Sequence, residues 1–120
     1  MRFLKAIPSI QIIYLQLPDG GPDGQGYETT NNTSLEKLYS KEIDSIITMD
    51  GSTLYTMETL KDLIFALLEQ KAPHGIRVLD YKKPIPEHGE LEGEHADHIV
   101  SSRIVVDVIE QHQIKSKVLT

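Results

Sequence analysis

Residues Ser45–Lys71, SIITMDGSTLYTMETLKDLIFALLEQK, switch from a period of two to a period of 3.6, and that switch decides the fold class. Ser45 to Met49 and Ser52 to Thr56 flank Asp50 and Gly51, a dipeptide suited to the positive φ angles of a type I′ turn. Counting outward, Ile47 meets Leu54 and Thr48 meets Thr53, so apolar faces apolar and polar faces polar across a hairpin. From Met57 the period changes. At about 100° per residue, Met57, Leu60, Leu63, Ile64, Leu67 and Leu68 form one stripe, with Glu58, Asp62 and Glu69 opposite. Thr56 stands where a capping hydroxyl belongs, and Pro73 and Gly75 end the helix.

The flanking segments are less regular. Upstream, Ile10 to Leu17 is a β-branched and aromatic run that suits a strand covered on both faces, stopped by Pro18. DGGPDGQG, Asp19 to Gly26, is too rich in Gly, Asp and Pro to continue a regular element, and reads as a mobile or sharply turned loop leading into Tyr27 to Thr30. Thr33 and Glu36 have capping-box spacing, which predicts a short helix from Ser34 to about Lys41. Downstream, Ile76 to Tyr81 alternates as a strand. Ile99 to Ile109 is ambiguous. Val100, Ile104 and Val108 recur at helical spacing after a capping Asp97, whereas the Val and Ile content favours a strand, and helix is the preferred reading.

The expected architecture is therefore α+β: an antiparallel or mixed sheet of four or five strands, packed on one face by the helix at about 57–71 and by a helix or strand at about 98–112. At 120 residues the chain fits one domain, 1–120, with flexible loops at about 18–32 and 83–97. A composition of 39% hydrophobic and 25% charged residues suits a chain that folds. The net charge of −6 argues against charge-driven binding to nucleic acid. There is no cysteine, which removes disulfides, thiolate catalysis and cysteine-based zinc sites. Met1 to Leu17 is apolar only in patches and lacks a cleavage site, and no stretch reaches the roughly 20 apolar residues of a membrane helix. A cytoplasmic protein without membrane partners is expected.

Three groups of residues could carry function. Glu87 to His98, EHGELEGEHADH, offers His88, His95 and His98 as ligands for a divalent metal, with Glu94 or Asp97 adding oxygen. It is not an HExxH motif, and a solvated acidic loop is the preferred account of it. The Asp19 to Gly26 loop lacks the lysine of a phosphate loop and the closing glutamate of a calcium loop, so a plain turn suffices. Phe65 falls about 140° round its helix from Leu60, outside the main stripe, among Glu58, Lys61 and Glu69. Together with Tyr14 and Tyr81 it is a candidate for a partner or ligand surface, or for the rim of a broad core.

No catalytic signature emerges and no cofactor is called for. The leading expectation is a non-enzymatic binding or assembly protein, a homo-oligomer that holds a protein or small ligand at a subunit junction. The alternatives are a metal-dependent enzyme or carrier built on residues 87–98, and a small accessory or viral-type inhibitor of a larger machine.

Overall fold

The computed structural model describes residues 2–3, 9–86 and 94–120. Among them the chain runs β1 (Arg2–Phe3), β2 (Gln11–Ile12), a 3-10 turn (Glu28–Thr30), α1 (Leu35–Tyr39), β3 (Ile46–Ile47), β4 (Leu54–Tyr55), α2 (Met57–Lys71), β5 (Gly75–Arg77), α3 (Ala96–Gln111) and β6 (Lys117–Leu119). The fold is mixed α and β, as expected. A single sheet of four or five strands does not form among the described residues. The strands pair as three separate two-stranded ladders: β1–β2 and β3–β4 antiparallel, β5–β6 parallel.

The hairpin register matches the sequence count, with Ile47 opposite Leu54 and the Thr48 N–H donating to the Thr53 carbonyl. Its turn differs from type I′. Gly51 has a φ of +71° but Asp50 is not left-handed, and the Gly51 N–H closes back on the Thr48 carbonyl. The Asp50 carboxylate replaces the missing turn geometry by accepting from the Ser52 N–H and from both the Thr48 and Ser52 hydroxyls. Those donors hold its pKa down at about 2.

The run from Ile10 to Leu17 is not a continuous strand. Only Gln11 and Ile12 pair, Gln16 turns left-handed at φ +58°, and Ile13 and Tyr14 are exposed while Leu15 and Leu17 pack on the core. Glu28–Thr30 form the 3-10 turn, with Tyr27 at its N-terminal cap position. Ser34, not Thr33, caps α1, accepting from the Lys37 N–H. α2 spans the predicted residues, and a reciprocal capping box between Thr56 and Thr59 closes its start.

The ambiguous C-terminal segment is the helix α3, and it is the hub of the fold. Ala96, Ile99, Val100, Ser102, Ile104, Val106, Val108 and Ile109 are all buried, and at 100° per residue they cover roughly two-thirds of its circumference. The main core joins Val100 and Ile104 of α3 to Leu35 and Leu38 of α1, Ile46 of β3 and Leu60 of α2. Polar contacts repeat the arrangement. Asp107 accepts from the Tyr39 hydroxyl and lies 3.8 Å from the Lys61 ammonium; the buried Ser102 hydroxyl accepts from the Leu79 N–H; and the Arg103 guanidinium reaches the Tyr81 and Lys83 carbonyls. Among the described residues no helix is long and apolar enough to cross a membrane.

Candidate functional site

The DGGPDGQG segment is irregular but fastened. Asp19 and Asp23 each accept the N–H two residues on, at Gly21 (2.8 Å) and Gln25 (3.1 Å), which folds the chain into successive side-chain turns. The folded loop then serves two helix N-termini. Its Gly24 carbonyl accepts from the buried Ser34 hydroxyl that caps α1, and its Pro22 carbonyl accepts from the Ala96 N–H at the first turn of α3. Pro18, Gly20, Gly21 and Gly24 are buried in consequence. A side chain at Gly20 has no room: its Cβ would lie 2.6 Å from Asp97 Oδ1 and 2.8 Å from the Ser34 Cβ.

Here the structure brings together Asp19, His95 and Asp97, with one ligand atom of each within 4.8 Å of the others. Of the histidines singled out as metal ligands, only His95 belongs to this group. His88 lies outside the described residues. His98 is exposed, its Nδ1 2.6 Å from Glu94 Oε1 and its ring 5.1 Å from that of His95. Asp19 joins from 76 positions away in the chain, which spacing within the 87–98 segment could not reveal. Asp97, expected to cap α3, is displaced from that role by His95, whose Nδ1 accepts from the Asp97 N–H at 3.1 Å.

The electrostatics of this group are uneven. Asp97 Oδ2 accepts from the Gly20 N–H at 3.0 Å, whereas Oδ1 is buried without a hydrogen-bond partner. Loss of solvent raises the Asp97 pKa, opposed by the Gly20 hydrogen bond and the nearby His95. Because Nδ1 of a neutral His95 is an acceptor here, its Nε2 carries the proton and faces Asp19 Oδ1 at 3.5 Å. A metal on Nε2 needs that lone pair and would therefore cost α3 its cap.

Phe65, Tyr14 and Tyr81 have three different surroundings. Phe65 is half-buried and stacks on His112, centroids 3.7 Å apart and planes within 12°. The pair borders a cleft of about 520 Å³ between the last turn of α2 and the segments entering β5 and β6, lined also by Leu68, His74, Ile114 and Lys115. Tyr81 is half-buried, and its backbone carbonyl holds Arg103. Tyr14 is 62% exposed, beside the hairpin, to which its segment is joined by the Met49 N–H donating to the Gln16 carbonyl at 2.7 Å.

The hairpin itself carries a surface that sequence reasoning passed over. Ile46 and Thr48 are buried, so by strand alternation Ile47 and Met49 face solvent, joined by Leu54 opposite Ile47; they are 47%, 62% and 62% exposed. The signal was in the sequence, because both arms of the hairpin carry large apolar residues on both faces and only one face can be covered by α2 and the core. No family model, curated protein or solved structure matches the chain.

Proposed function

We propose that the chain is a non-enzymatic binding and assembly protein that self-associates through the outer face of the β3–β4 hairpin. The observation that carries this reading is the exposure of Ile47, Met49 and Leu54 on one face of the hairpin. Chains that stay monomeric seldom leave large apolar side chains grouped in this way. A second copy suits the patch because a two-fold axis sets the same apolar face against itself, with no complementary surface required.

Sedimentation velocity across a concentration series tests the reading. Self-association of the wild type and a shift to monomer for Leu54→Glu, with unchanged circular dichroism, is the expected result. A wild type that stays monomeric at the highest concentration ends it.

A second reading, metal binding, is favoured by the convergence of Asp19, His95 and Asp97 and by the unpaired Asp97 Oδ1. It requires His95 to exchange its capping role for a metal bond. Titration with zinc should then raise the melting temperature of the wild type and not of Asp19→Asn. Equal responses of the two proteins dispose of the reading.

A further inference from the structure

The β5–β6 ladder is unusual in being parallel and only two strands wide. Parallel strands ordinarily lie inside larger sheets with both faces covered. Here Gly75, Arg77 and Lys117 are exposed, and Ile76, Val118 and Leu119 only half-buried. The Lys117 N–H donates to the His74 carbonyl and the Val78 N–H to the Leu119 carbonyl, so Lys117 and Leu119 turn their backbone groups toward β5. Alternation along the strand then directs those of Val118 away from the ladder. On the β5 side, Ser102 of α3 takes the Leu79 N–H just beyond the end of the strand. On the β6 side no third strand pairs among the described residues.

Charge distinguishes this pair from the rest of the molecule. In a chain of net charge −6, residues 70–79 and 111–120 contain Lys71, Arg77, Lys115 and Lys117 and no aspartate or glutamate. The register sets Gly75 level with Lys117 and Arg77 level with Leu119, which puts the Arg77 and Lys117 side chains on one face. Neither forms an ion pair among the described residues. At the start of the strands lies the cleft of about 520 Å³, its apolar lining of Phe65, Leu68 and Ile114 edged by His74, Lys115 and the single carboxylate Glu69.

We propose that the free edge of β6 docks an acidic, extended segment of a partner protein, which adds to the ladder as a third strand and seats one apolar side chain in the cleft beside Phe65. Outward backbone groups of β6 would supply hydrogen bonds, Arg77 and Lys117 would select carboxylates, and the cleft would fix the register of the guest. A peptide suits this surface better than a nucleic acid. The available backbone groups match another strand, and the acidic remainder of the chain repels a long polyphosphate.

Selection of phage-displayed random decapeptides on the full chain tests the proposal, with enrichment of Asp- and Glu-rich sequences carrying one aromatic or large aliphatic residue as the expected result. Fluorescence anisotropy with a synthetic enriched peptide should show binding weakened by about tenfold or more in the double variant Arg77→Glu, Lys117→Glu, and in Val118→Pro, which removes the edge N–H. Leu54→Glu, on the distant hairpin, should bind like the wild type, which separates this surface from the self-association face. Should Val118→Pro fail to fold by circular dichroism, the charge reversal at two exposed positions decides. Enrichment of basic or neutral peptides, or undiminished binding by the charge-reversed variant, overturns the proposal. So does a labelled oligothymidylate that binds more tightly than the peptide, in favour of phosphate recognition.

Discussion

α2 and α3 are helices of almost equal length with opposite places in the molecule. α2 has the cleaner amphipathic pattern, yet of its residues only Leu60 is fully buried. α3 has the pattern that hesitates between helix and strand, and it buries eight residues against α1, α2 and the core. The contrast teaches that a well-defined polar face marks a helix at the edge of a fold. Loss of that face, with β-branched residues at seven of the sixteen positions, marks one surrounded by it. The feature that makes α3 hard to classify from its sequence is therefore the mark of its burial.

Cavity-forming substitutions break this comparison most severely if it is wrong. Ile104→Ala removes a side chain that is 1% exposed and should cost about 3 to 4 kcal/mol in urea unfolding. Leu67→Ala, half-buried on α2, should cost about 1 kcal/mol. Equal losses would mean that the two helices share the core evenly.

Glycine substitutions sharpen the comparison at the segments leading into each helix. Gly20→Ala drives a Cβ into Asp97 and Ser34 at the N-termini of α3 and α1, and should cost about 2 kcal/mol by thermal or denaturant melting. Gly51→Ala, in the hairpin leading to α2, meets nothing within 4 Å and carries only the left-handed backbone cost, about 1 kcal/mol. A reversed order would indicate that the Asp19 to Gly26 loop yields more easily than its hydrogen bonds imply.

The smallest effect is a difference in pH response. Asp97, raised by burial, contributes stability that is present below the ordinary carboxylate range and is lost as pH rises through its shifted value. Asp50 has the opposite sign: its contribution is present above 3.8 and is lost as pH falls toward about 2. Asp97→Asn should therefore flatten the decline in melting temperature as pH rises above 3.8, and Asp50→Asn should flatten the fall on the acid side. Glu36, also raised mainly by burial, keeps part of the first slope in both variants. Parallel wild-type and Asp97→Asn profiles would place Asp97 in solvent.

Much of the local structure was legible because it depends on neighbours in the chain. The Ile47–Leu54 register, the span of α2 and its Thr56 cap follow from side-chain alternation, helical spacing and a hydroxyl at the first turn. Caps that depend on a distant partner were misassigned by one or two positions. Ser34 displaces Thr33 because its hydroxyl also reaches Gly24, and His95 displaces Asp97 because the Asp97 carboxylate is drawn to Gly20. Within the candidate metal group His95 and Asp97 could be read from the 87–98 segment, whereas Asp19 joins them only through folding.

By itself, the sequence determined an α+β chain with no cysteine chemistry, a hairpin running into a helix, and the positions where regular structure must stop, because each of these depends on bonds and sterics within a few residues. Tertiary structure alone decided that α3 is the buried hub, that the DGGPDGQG loop is tied to two helix termini, and that β5 and β6 meet in parallel with α3 between them in sequence. Those outcomes follow from which apolar surfaces and backbone groups find partners once the whole chain has closed, and no short window of residues contains that information.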